Sequence, residues 1–320
     1  MVSRRLFLSS LAALGVVFSS GANAQEKVPV VASFSILGDF VQNIGGERVA
    51  VTTLVGADGD AHVYAPKPSD AKAVAEAKLV FINGIGFEGW MERLVESSGS
   101  KAEIVTASNG IATIAFGGEA EHDDHGGGHT HEHGEKEAHD DHDHGELDPH
   151  AWQSVANAMA YVGNIRDALI KADPAGKADY EANAASYLAK LDALDAEVRT
   201  TIAALPADGR TIITSHDAFG YFAKAYGIEV VAPQGVSTEA EPTAKQVASL
   251  IRQIRAEKVR AIFVENITDP RMIKRIAEES GAKIGGALYS DALSQKDGPA
   301  GTYIDMVRHN IRTLSAGLSS

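Results

Sequence analysis

The chain has 320 residues, 44% of them apolar, enough for one large or two medium hydrophobic cores and too many for a single small module. Its formal net charge is −14 with neutral histidines, and removing Arg4 and Arg5 with an N-terminal leader leaves 27 basic against 43 acidic side chains. That balance excludes nucleic acid and anionic lipid as electrostatic partners and favours cations as cargo, while the absence of cysteine excludes disulfides and a lipid-bearing cysteine.

Residues 1–24 read as a cleaved export signal. Arg4 and Arg5 supply the positive start, Leu6 to Phe18 the apolar stretch, and Ala22-Asn23-Ala24 a small-residue cleavage site, so the mature chain is expected to begin near Gln25. Ser3-Arg4-Arg5-Leu6-Phe7-Leu8 also resembles the twin-arginine consensus, which leaves the general secretory and twin-arginine routes both open. No later apolar run reaches the roughly 18 residues needed to cross a bilayer, and the product is expected free in an exported compartment.

From there the sequence uses one pattern twice, at an offset of 182 residues. Val30-Val31-Ala32-Ser33 aligns with Ile212-Ile213-Thr214-Ser215, and Gly38, Phe40 and Gly45 meet Gly220, Phe222 and Gly227: a strand, a turn, a short helix and a glycine stop. Leu79-Val80-Phe81-Ile82 aligns with Ala261-Ile262-Phe263-Val264, and the helical runs that follow share Arg93/Arg275, Glu96/Glu278, Ser98/Ser280 and Gly99/Gly281. Short apolar strands alternating with helices predict an α/β fold of two related lobes with mainly parallel sheets.

Between the copies stand two unlike segments. Residues 121–147 hold His122, His125, His129, His131, His133, His139, His142 and His144 among ten acidic residues without apolar periodicity, which predicts a solvated, disordered loop. Eight imidazoles suit weak auxiliary metal capture, the plainer alternative being a solvated charge run. Pro174 then opens a helical run in which Tyr180, Ala184, Tyr187, Leu188, Leu191, Leu194, Val198 and Ile202 recur at helical spacing up to Pro206. The division expected is an N-terminal lobe over 25–173, a stiff linking helix over 174–205 and a C-terminal lobe over 206–320.

Four histidines remain. His62 lies in a loop, His150 at a helix start and His216 just past a strand, as does Asp291, whereas His309 sits on a C-terminal helix with no ligand type beside it and reads as structural. Ligands of α/β proteins gather at such strand ends, and three imidazoles with one carboxylate have the number and softness of a closed Zn²⁺ site. Spacings of 88, 66 and 75 residues form no short-range motif, so a helix cap or a buried hydrogen bond stays open for each histidine. Since His216 coincides with Phe34 under the repeat, the position past each first strand is expected to face an interlobe cleft. Asp60, Asp148, Asp217 and Glu265 stand near these candidates, with orienting and capping roles both open.

The segments Gly59-Asp60-Ala61-His62-Val63-Tyr64-Ala65-Pro66-Lys67-Pro68-Ser69-Asp70, Leu147-Asp148-Pro149-His150-Ala151-Trp152, Thr214-Ser215-His216-Asp217-Ala218-Phe219 and Leu288-Tyr289-Ser290-Asp291-Ala292-Leu293 together resemble the zinc and manganese solute-binding proteins of ABC importers, the cluster A-I family. The resemblance covers essentially all of the mature sequence and is nearest to the zinc-binding ZnuA and AztC branch. It implies a metal held between two lobes by His62, His150, His216 and Asp291, no enzymatic activity, and a monomer in the periplasm that serves a permease and its ATPase, with a periplasmic zinc-donating protein as a further partner. Where this chain has His216, manganese-binding relatives usually carry glutamate, so the resemblance points to Zn²⁺ ahead of Mn²⁺. Ala61 replaces a family proline and predicts a looser His62 loop. Mobility is expected there and at residues 235–242 rather than in a wide hinge. A zinc hydrolase with Asp291 as base, and a buffer that stores zinc on the histidine tract, are the rival readings.

Overall fold

A computed structural model describes residues 26–115, 147–206 and 210–319. The export signal and the eight histidines of the acidic tract lie outside the described residues.

The first half runs β1 (Val28–Phe34), α1 (Ser35–Gly45), β2 (Val49–Val55), α2 (Pro68–Glu76), β3 (Leu79–Ile82), α3 (Met91–Ser98) and β4 (Glu103–Thr106). After α4 (Val155–Ala172) and α5 (Lys177–Ala203), the second half repeats it as β5 (Thr211–Ile213), α6 (Gly220–Tyr226), β6 (Glu229–Val231), α7 (Ala244–Glu257), β7 (Ala261–Glu265), α8 (Arg271–Ser280), β8 (Lys283–Leu288) and α9 (Tyr303–Leu318). The sheet orders, β2-β1-β3-β4 and β6-β5-β7-β8, are the same, and every pairing within them is parallel. The expected pair of related α/β lobes is therefore present.

Local sequence explains the parts. β1 and β3 are central strands covered on both faces, which is why they read as unbroken apolar runs rather than alternating ones. The paired glycines Gly99 and Gly281 end α3 and α8 with φ of 62° and 82°, the left-handed conformation that side chains resist. The long helix is shorter than its periodicity suggests, because Pro174–Gly176 form a separate 3₁₀ turn before Lys177. Apolar residues of α5 pack against α1 and α4 and also against α6 and α9, so this helix touches both lobes.

The halves are not independent cores. One continuous cluster joins β1, β3, α1, α4 and α5 to α6 and α9, whereas only Ile213, Leu250, Ile254, Ile262, Ile273, Ile276 and a few neighbours form a second cluster between the second sheet and α7 and α8. At the seam, Asp39 of α1 accepts hydrogen bonds from the Tyr303 N–H of α9 (3.0 Å) and from the Tyr187 hydroxyl of α5 (3.3 Å), while Phe40 packs edge-on to Tyr303 with centroids 4.7 Å apart. Burial raises the Asp39 carboxyl from 3.8 to about 6 against the lowering effect of those hydrogen bonds.

Between those two values the folded protein retains a proton that the unfolded chain has lost, so this group makes stability fall as pH rises from about 4 to about 6, by roughly 2–3 kcal/mol. Asp39→Asn keeps an acceptor oxygen and cannot ionise. Urea unfolding at pH 4 and pH 7 is expected to show the variant gaining stability relative to the parent at the higher pH, and identical pH dependences would discount Asp39.

Candidate metal centre

The loops at the carboxyl ends of the strands bring four side chains from distant sequence positions together. His62 lies in the connection between β2 and α2, His150 starts the 3₁₀ turn Ala151–Gln153, His216 follows β5 and bridges to Gln234, and Asp291 follows β8. His150, His216 and Asp291 are 0% exposed and His62 is 6% exposed, so among the described residues His62 is the member of the cluster that borders solvent. One ligand atom from each lies within 4.8 Å of all the others. His309 stands apart, with Nε2 3.0 Å from the Ala287 carbonyl, as its structural reading required.

The separations fit a small cation. His62 Nε2 is 3.3 Å from His150 Nε2 and 3.2 Å from Asp291 Oδ2, and His216 Nε2 is 3.1 Å from the same oxygen. Four donors about 2.0–2.1 Å from a tetrahedral ion lie about 3.3 Å apart. Asp291 turns its second oxygen inward as well: Oδ1 is 3.6 Å from His150 Nε2, fully buried and without a hydrogen-bond partner. An unpartnered carboxylate oxygen in a closed interior is costly unless a cation meets it.

Other acids fix the imidazoles. Asp148 Oδ1 accepts the His150 N–H (2.9 Å) and faces its Nδ1 (2.7 Å), which directs Nε2 into the cluster. Glu265 Oε1 accepts the N–H groups of Ser215 (2.7 Å) and His216 (2.9 Å). Its Oε2 lies 2.7 Å from His216 Nδ1, close enough to pair although out of line for a hydrogen bond. Asp60 acts on the backbone, accepting the His62 N–H at 2.9 Å and the Thr238 hydroxyl of the other lobe at 2.7 Å. Asp217 is half-buried, and its N–H donates to the Gly235 carbonyl at 3.2 Å. The expected loosening at Ala61 is countered, since the Trp90 indole N–H donates to the Ala61 carbonyl at 2.7 Å.

Electrostatics follow from this packing. Burial opposes charge on His150, but Asp291 and Asp148 outweigh it and raise the imidazole to about 9. Burial likewise opposes charge on His216, which Glu265 and Asp291 nonetheless push well above its ordinary value. Burial would raise Asp291, yet His150 and His216 hold it well below the usual carboxylate range. The pocket is built for positive charge, and an arriving cation displaces protons. Phe87 stands edge-on to His62 and Trp152 to His150, with centroids 4.8 Å and 5.3 Å apart, as an aromatic wall.

Sequence reasoning had no means of finding the bonds that Trp152, Gln153 and Tyr303 make around the site. The Trp152 indole and the Gln153 amide both donate to the Ser290 carbonyl, and the Tyr303 hydroxyl donates to the Trp152 carbonyl. These bonds link opposite halves of the chain, and only the fold reveals them. Asn83, at the repeat position of Glu265, donates to the Pro149 carbonyl beside His150 at 2.9 Å, a bracing role that the 182-residue offset could have suggested.

Two α/β lobes around a closed cluster of three imidazoles and a carboxylate define a solute-binding protein for a divalent metal. The model of the family described as zinc-uptake complex component A, periplasmic, matches residues 30–317. The manganese-binding lipoprotein MntA of Halalkalibacterium halodurans is 36% identical over 294 residues, covering 92% of this chain and 89% of the relative. The iron-binding protein YfeA of Yersinia pestis is 32% identical, covering 97% and 93%. Among solved structures, the periplasmic zinc-binding protein TroA of Treponema pallidum superposes with a TM-score of 0.79 at 30% identity, covering 92% of this chain and 99% of its own. The chain belongs to the ZnuA family of metal-binding solute-binding proteins of ABC importers, which are not enzymes.

Two variants test the supports. Glu265→Gln is expected to weaken metal affinity by about one to two orders of magnitude while circular dichroism stays unchanged. At Gly220 an added Cβ would lie 2.5 Å from Asp148 Oδ2. Gly220→Ala is therefore expected to displace that carboxylate and weaken metal binding about tenfold in a chelator competition, and parental affinity would show that Asp148 tolerates the shift.

Proposed function

We propose that this protein is the high-affinity zinc-binding component of an ABC importer, capturing Zn²⁺ between its lobes with His62, His150, His216 and Asp291 and delivering it to a membrane permease driven by an ATPase. The observation that carries this reading is the convergence of three imidazole nitrogens and one carboxylate within 4.8 Å, since the third nitrogen at His216 favours the softer ion. The relatives' names divide among manganese, iron and zinc, so family membership alone supports a divalent metal and the donor set supports zinc. The two inward-facing oxygens of Asp291 favour a second reading in which a larger ion such as Mn²⁺ takes five donors.

Several further parts belong to the same proposal. The mature chain begins near Gln25 in the periplasm as a monomer, with its lobes at 25–173 and 206–320 joined through 174–205. The histidine tract within 121–147 gathers zinc weakly, and a periplasmic donor protein loads the site. Release proceeds by moving the His62 loop, which borders solvent among the described residues, together with residues 235–242.

A competition titration at neutral pH tests this reading. The mature protein is expected to hold one tight Zn²⁺ in preference to Mn²⁺, to keep it when residues 121–147 are removed, and to lose it in His216→Ala. Tight binding that disappears with the tract would make the protein a histidine-tract buffer instead, and tighter Mn²⁺ than Zn²⁺ binding would overturn the choice of metal.

A further inference from the structure

We propose that Gln153 is a positioning residue for Asp291, holding the peptide carbonyl directly before that ligand and so setting how the carboxylate stands over the three imidazoles. The inference rests on the metal-site reading above and adds a determinant of its geometry.

Gln153 is 3% exposed, and its Nε2–H donates to the Ser290 carbonyl at 2.7 Å. The Trp152 Nε1–H donates to the same oxygen at 3.0 Å. Both acceptor directions of that carbonyl are thus taken by consecutive side chains of the single turn that His150 opens. The turn is itself gripped on either side: Asp148 takes the His150 N–H, and the Tyr303 hydroxyl donates to the Trp152 carbonyl at 2.7 Å. One turn and one carbonyl therefore separate His150 from Asp291, although the two stand 141 positions apart in the sequence.

A buried amide on an interlobe seam costs desolvation that an apolar side chain of the same size would avoid, and this one spends its donor on the peptide that carries a ligand. The geometry shows what is at stake. Asp291 Oδ2 is 3.2 Å from His62 Nε2 and 3.1 Å from His216 Nε2, whereas Oδ1 stands 3.6 Å from His150 Nε2. The Ser290 peptide leads directly into Asp291, so its placement bears on whether Oδ2 alone or both oxygens face the ion. Gln153 thereby governs the coordination number offered to the ion, and with it the discrimination between a small four-coordinate cation and a larger one.

The test uses the full mature protein with Gln153→Leu and the more adaptable Gln153→Met, with Co²⁺ as a visible reporter of coordination and Zn²⁺ for kinetics. Both variants are expected to bind one ion per chain, to release Zn²⁺ to a chelator about tenfold faster, and to show a Co²⁺ absorption band altered in intensity and position. Parental Co²⁺ spectra and Zn²⁺ release rates in the folded variants would overturn the proposal even if their thermal stability fell, because packing alone would then explain the residue. Should Gln153→Leu fail to fold, Gln153→Met carries the same comparison. Asp291→Ala serves as the reference: tight parental binding in that variant would remove the metal-site reading itself, whereas its loss beside unchanged Gln153 variants would remove only the positioning role.

Discussion

One buried carboxylate sets the terms for much of this molecule. Asp291 is fully enclosed, and its charged neighbours among the described residues are histidines, so its negative charge must be met by imidazolium or by a metal ion. The surrounding acids deepen the demand rather than relieve it, since Asp148 and Glu265 also face inward onto His150 and His216. An interior of this kind is stable only when positive charge is supplied, and three imidazoles from three separate loops make that supply exchangeable. The aromatic wall and the interlobe seam keep water away, which strengthens each of these interactions.

The duplication explains why the candidate metal-binding side chains are shared unequally between related halves. Both halves present the end of their first strand to the seam, but the first places Phe34 there and the second His216. Phe34 packs against Phe87 and Trp152, with both centroid distances 4.9 Å, and so builds the apolar side of the pocket, while His216 supplies a donor to its polar side. The next strand in each sheet repeats the division. Asn83 braces the His150 corner through a carbonyl, and Glu265 braces His216 through its N–H and ring nitrogen. One scaffold thus gives a wall from one copy and a charged brace from the other.

Much of this was readable in the sequence for identifiable reasons. Buried parallel strands leave unbroken apolar runs such as Leu79-Val80-Phe81-Ile82, and the glycines that end helices sit at matching places in both copies, so lobe architecture is written locally. The three cleft histidines stood out because each follows a strand or opens a helix. The bracket that joins Trp152 and Gln153 to the Ser290 carbonyl left no trace, because a backbone acceptor carries no residue signature and its partners lie 137 and 138 residues away. The continuity of the main core across both lobes was equally hidden: α6 and α9 look like ordinary amphipathic helices until their partners on α1, α4 and α5 are known.

The place of α9 in this fold bears on when the protein becomes competent. Asp291 follows β8, and the helix after it docks on α1 through Tyr303 and Asp39 and grips the turn after His150 through the Trp152 carbonyl. A chain that stops at Leu288 still carries Asp60, Asp148 and Glu265, which brace the three histidines, but it lacks the carboxylate that they face. Within the proposed site, metal capture therefore waits on the second sheet, and a polypeptide cut before Asp291 lacks the one carboxylate that would hold an ion against the imidazoles.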